Sequence, residues 1–152
     1  MEYCETKVFS ENSIIIREGD VSTCLYYIEE GTATCYIGYE KPEEYLVEVF
    51  SKGRFFGETG FLVEEKSTIT VVANEDLRLR IVEKKDFKNY IVSNPDTGIL
   101  LMQHMAKANA ALSKHISLVS GELVEIINSI EKNKPVPIDL KKKLLQYKVW
   151  QV

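Results

Sequence analysis

The sequence predicts an α+β fold that is mainly β: a sandwich or roll of short strands, followed by one long helix. Three observations predict it. Residues 7–73 form short β-branched or aromatic runs cut by Gly, Asp, Asn and Pro turns, the regular spacing of an all-β sandwich or roll. Residues 55–73, FFGETGFLVEEKSTITVVA, place a glycine-acid turn before a short apolar turn and a β-branched strand. Beyond Ser93, no proline follows Pro95 until Pro135, and apolar residues recur at helical spacing.

Taken in order, SIIIR (13–17) stops at Glu18-Gly19-Asp20, CLYYIEE (24–30) at Gly31, TATCYIGYE (32–40) at Lys41-Pro42 and EYLVEVF (44–50) at Ser51-Lys52-Gly53. Ala33, Cys35 and Ile37 alternate onto one face, as do Tyr45, Val47 and Val49, and both faces are expected to line the interior. In 55–73, Gly57 can bring backbone N–H groups close to an anion, and Glu58 can accept hydrogen bonds from hydroxyls. Read locally, the same pair also serves as a plain turn and cap for 59–62. LRLRIV (77–82) is a strand with Leu77, Leu79 and Ile81 on one face and Arg78 and Arg80 on a solvated one. KKDFKNYIV (84–92) spaces Phe87, Tyr90 and Ile91 for a short amphipathic helix.

Ser93-Asn94-Pro95-Asp96 then reads as a helix start: a polar cap, a proline in the first turn and an acid at the positive end. The helix is expected from Pro95 to about Glu131, weakened only at Gly121. Leu101, Met105, Ala108, Leu112, His115 and Val119 follow four-three spacing, a coiled-coil-like seam on a helix too long for a small roll to cover. A second copy is the simplest partner, giving a parallel homodimer through this helix. In the tail, Lys134-Pro135-Val136-Pro137 is a linker signature; Asp139 can cap a short helix, LKKKLLQY, and KVWQV is a candidate terminal strand.

At 152 residues with 45% hydrophobic and 28% charged composition, the chain is an ordinary globular protein: one domain with an extension. A net charge of -4 gives no general attraction to nucleic acid or to an anionic membrane. No apolar run approaches a membrane span and no secretory signal opens the chain, so a cytoplasmic setting with no membrane contact is expected. Cys4, Cys24 and Cys35 lack CxxC spacing; Cys24 and Cys35 are expected to be buried structural thiols. Both histidines, His104 and His115, fall in the expected helix, which argues against a cupin-like metal enzyme, and no nucleophile–base arrangement is legible. Neither metal ligands nor catalytic residues are assigned.

In this order and spacing, REGD (17–20), LYYIEEG (25–31), FFGE (55–58) and TVVA (70–73) resemble the cyclic nucleotide-binding domain of the CRP/FNR regulator superfamily, over residues 8–130. The resemblance implies a double-stranded β-helix with an effector-binding roll at 1–92, a dimerisation helix at 93–132 and a tail at 133–152 too short for a complete DNA-binding domain. It therefore implies a non-enzymatic sensing domain of a bacterial transcription regulator, with no direct DNA contact from this chain. The effector implied is cyclic AMP or another small anionic molecule. In that family a cassette glycine and glutamate meet the ribose, and an arginine followed by a small residue meets the cyclic phosphate. Gly57 and Glu58 match the first pair, with Thr59 beside them, but Ser67 stands where the arginine is expected, followed by Thr68. A neutral hydroxyl replaces a charged fork of donors. Cys35, Ile37 and Val47, with Phe61 and Leu62, are the expected pocket walls, and Leu112 and Ser113 of the helix are expected at the base. The other function considered is a ligand-free roll acting as a dimerisation or protein-interaction module.

Overall fold

The structure is a computed structural model and describes residues 3–132 and Pro135. The tail elements expected after Lys134, including the Asp139 cap, the short helix and the terminal strand, lie outside the described residues.

Among the described residues, eight strands form two four-stranded sheets. The first contains β1 (Glu5–Phe9), β8 (Leu77–Glu83), β3 (Cys24–Glu30) and β6 (Phe55–Phe56), in that order. The second contains β2 (Ile14–Ile16), β7 (Thr70–Ala73), β4 (Ala33–Ile37) and β5 (Tyr45–Phe50). All the pairings are antiparallel. Because sequence neighbours such as β3 and β4 fall in different sheets, the chain winds between two layers, and the expected mainly-β roll is the fold observed.

Alternation sorts the side chains of the first sheet onto two faces. Tyr26, Ile28, Phe56, Leu77 and Leu79 join Ile16, Cys35, Phe50, Val71 and Ala73 in the core of the roll. Leu25, Phe55 and Val82 face the other way, into a second core shared with Phe61, Tyr90 and Leu101. That second core is covered by α1 (Glu58–Val63), α2 (Phe87–Ser93) and the first turns of α3 (Pro95–Glu131). Tyr90 is 1% exposed, which accounts for the short amphipathic helix.

Four expectations need correction. Leu101 is not a seam residue: at 4% exposure it is packed into the core of its own domain. Val47 and Val49 are 42% and 50% exposed: Glu48 and Phe50 are the residues of β5 opposite the core residues Cys35 and Ala33, while Val49 lies opposite Thr34 on the other face. Arg80 is not simply solvated; it pairs with Glu29 and lies 5.5 Å over the Tyr27 ring. Cys35 is buried, but Cys24 is only half-buried.

The chain divides into two compact units, one through Met102 and one from Gln103. Taken by itself, the second is helical through Glu131 and exposes Met105, Leu112, Ile116, Leu123, Val124 and Ile127. Gly121 does not interrupt the helix. Among the described residues no helix is long and apolar enough to cross a membrane.

Candidate functional site

The 55–73 segment is fixed at both ends by the roll. At its start, β6 pairs with β3, with Phe55 opposite Tyr27 and Phe56 opposite Tyr26. The Tyr26 and Phe56 rings stack at 5.0 Å, and Phe56 lies 5.6 Å from Phe50. Gly57 then takes φ 82°, a left-handed conformation that suits glycine, and α1 begins at Glu58. A Cβ at Gly57 would lie 3.1 Å from the Cys24 carbonyl oxygen and 3.1 Å from the Tyr26 ring, so space as well as backbone favours glycine here.

At its far end the segment is tied to the turn at Gly19 and Asp20. Gly19 N–H donates to the Ser67 carbonyl (2.8 Å), and Ser67 N–H donates to the Asp20 carbonyl (2.7 Å). Val21 and Lys66 form an isolated antiparallel bridge, which holds exposed Lys66 on the rim. The Ser67 hydroxyl donates to the Ile69 carbonyl (2.8 Å) and accepts the Ile69 N–H (3.3 Å). It therefore closes its own turn, which accounts for a serine at this position independently of any ligand.

Between the two ends lies a cavity of about 90 Å³, to which Gly57, Glu58, Thr59, Ser67 and Thr68 all contribute. Five of the expected binding residues are thus brought together from two stretches of chain. Cys35, Ile37 and Val47 are not among the lining residues: Cys35 is packed in the core, and Ile37 and Val47 are 44% and 42% exposed. Leu112 and Ser113 belong to the second unit and are exposed.

Sequence reasoning missed Ser22 and Arg54, both of which line the cavity. The signal for Arg54 was a lone basic residue immediately before FFGE, hidden by reading the preceding residues only as a turn. Its backbone is locked, since Arg54 N–H donates to the Ser51 carbonyl (3.0 Å) and its carbonyl accepts Ile28 N–H (3.0 Å). The guanidinium carbon lies 5.2 Å over the Phe50 ring, and one terminal nitrogen reaches the Glu48 carboxylate at 3.2 Å. Its Nε is buried without a hydrogen-bond partner among the described residues.

Burial pushes the Cys35 thiol up to about 11, with the neighbouring Glu48 carboxylate reinforcing the shift, so this thiol is protonated at neutral pH. Outside the cavity lining, the Glu18 carboxyl is held below its usual value by the Gly38 N–H, which donates to it at 2.8 Å, and by Lys41 at 3.3 Å. No group of three or more potential metal ligands occurs among the described residues.

Residues 6–94 match the family of the cyclic nucleotide-binding domain. Across 96 residues, 63% of this chain, the sequence is 32% identical to a cAMP-dependent protein kinase regulatory subunit of Colletotrichum orbiculare. Over 138 residues, 87% of the chain, it is 24% identical to the cAMP-activated global transcriptional regulator CRP of Salmonella typhimurium. The chain spans 23% and 66% of those two relatives' lengths. In three dimensions it is similar to the catabolite activator protein of Thermus thermophilus, with a TM-score of 0.70 and 22% identity over 79% of this chain and 56% of that one, a likeness of fold.

Proposed function

We propose that this chain, which belongs to the cyclic nucleotide-binding domain family, is the effector-sensing part of a CRP/FNR-type regulator. The observation that carries the reading is the convergence of Gly57, Glu58 and Thr59 with Ser67 and Thr68 around one cavity. At about 90 Å³ this cavity is smaller than the roughly 300–1,000 Å³ of typical small-ligand sites. It suits the ribose-phosphate end of a cyclic nucleotide, with the base lying outside it. Glu58 would accept a ribose hydroxyl, and the backbone at Gly57 would approach the sugar closely. Effector binding is then read out by the long helix, which pairs with a second copy through Met105, Ala108, Leu112, His115 and Val119. A ligand shifts such an assembly only by binding its two arrangements unequally. The function is binding and transmission, with no chemical step.

Titration calorimetry with cyclic AMP, cyclic GMP and cyclic di-nucleotides tests the reading. Saturable heat with one of them is expected; silence with all at millimolar concentration would overturn it. One observation favours a second reading, a ligand-free roll acting as a dimerisation or protein-interaction module. The Ser67 hydroxyl is occupied by its own turn where the family's cassette has an arginine. The same calorimetric silence, with a dimer in sedimentation, would support it.

A further inference from the structure

The cassette lacks a cation at residue 67, yet the cavity does not lack one. Arg54 is among its lining residues, on the turn that precedes β6. Three features distinguish this side chain from a surface arginine. Its side chain is only 27% exposed, its guanidinium lies over the Phe50 ring, and its Nε is a buried donor with no acceptor among the described residues. A buried donor without an acceptor is costly to leave unmade, and an arginine fork is shaped to meet two oxygens of a phosphate at once. The one acceptor it does engage, Glu48, has a side chain 53% exposed on the edge strand, where it can turn to solvent. A purely structural salt bridge would explain the Glu48 contact. It leaves unexplained why Arg54 lines the cavity with its Nε unsatisfied among the described residues.

We propose that Arg54 is the anion-binding group of this site, replacing the cation absent at residue 67, and that Glu48 is a resident carboxylate which an anionic ligand displaces. The proposal rests on the effector-sensing reading and adds to it a charge requirement and an internal competitor. Glu48 sets the affinity by competing for the same donors, so the site prefers ligands carrying at least one phosphate and discriminates against the uncharged nucleoside.

The test is calorimetry of the full chain with cyclic AMP, and with adenosine as the uncharged comparator. Arg54→Gln, which keeps the length of the side chain over Phe50, should weaken cyclic AMP binding by about tenfold to a hundredfold. Glu48→Gln should tighten it by about threefold to tenfold, because the competing charge is gone while the side-chain size is kept. Neither should change adenosine binding. Saturable cyclic AMP binding that is the same in wild type and Arg54→Gln would overturn the proposal and leave the sensing function standing. Silence in both wild type and Glu48→Gln would overturn both. Binding by Glu48→Gln alone supports the proposal, with Glu48 masking the site. If Arg54→Gln loses its far-ultraviolet circular dichroism, the Glu48→Gln comparison decides alone, and an unchanged affinity there overturns the proposal.

Discussion

Gly57→Ala tests whether the bend that opens the cassette is fixed by space or by backbone conformation alone. At φ 82° an alanine costs about 1–2 kcal/mol, of which roughly 0.4–1 kcal/mol is returned by the reduced freedom of the unfolded chain. The added methyl would also meet the Cys24 carbonyl oxygen and the Tyr26 ring at 3.1 Å and the Ile16 side chain at 3.2 Å. Two of these neighbours belong to the packed roll and the third is backbone, so they give way at the cost of overpacking, about 1–3 kcal/mol. The expected destabilisation is about 3 kcal/mol. Gly53→Ala is the matched control, since Gly53 has φ 90° and nothing within 4 Å of the added carbon. Its loss should be about 1 kcal/mol or less. Urea unfolding followed by circular dichroism should separate the two midpoints by roughly 1 M for a slope near 2 kcal/mol/M. Equal losses would refute the close packing of Gly57 against β2 and β3.

Further outcomes follow from the same geometry. Iodoacetamide at neutral pH should modify Cys4 and Cys24 in mass spectra while buried, protonated Cys35 resists until the chain unfolds; rapid labelling of Cys35 would contradict its place in the core. Burial raises the Cys35 thiol from 9.0 to about 11 and the Tyr26 phenol from 10.0 to about 12. The unfolded chain therefore loses these protons first, and stability should fall as pH rises from about 9 to 12. Denaturation midpoints that stay flat across that range would contradict it. Ser67→Arg should add a second guanidinium to the cavity and tighten cyclic AMP binding at least tenfold; an unchanged titration would count against residue 67 as the cassette position. Leu112→Glu places a charge in the proposed helical seam and should convert a dimer to monomer in sedimentation. Identical sedimentation of the two proteins would dismiss that seam.

The strands and helices were legible because each rests on a local pattern. LRLRIV alternates and becomes β8, and Leu77 and Leu79 are fully buried. The Asn94-Pro95-Asp96 start and the absence of a further proline before Pro135 give α3 its observed span, Pro95–Glu131. Local patterns failed where burial depends on neighbours. Val47 and Val49 alternate like core residues, but cross-strand register puts Glu48 and Phe50 of β5 opposite Cys35 and Ala33 on the core face, and which of two alternating faces turns inward is set by the partner strand. Leu101 fits a seam heptad, yet the first turns of α3 pack against Tyr90 and the cavity-bearing sheet, which takes Leu101 out of the seam.

By itself the sequence determined the family of the fold and the bend at Gly57 and Glu58, and it motivated the proposal that Ser67 stands at the cassette position of a cation, because these are matters of residue type at fixed spacing along the chain. Only the tertiary structure decided which side chains share the cavity with that cassette. Arg54 lies 13 residues before Ser67 in the sequence and faces the same space only because β6 pairs with β3 while the Gly19 turn holds the far end of the segment. Long-range pairing, which leaves no local periodic trace, brings that charge to the site.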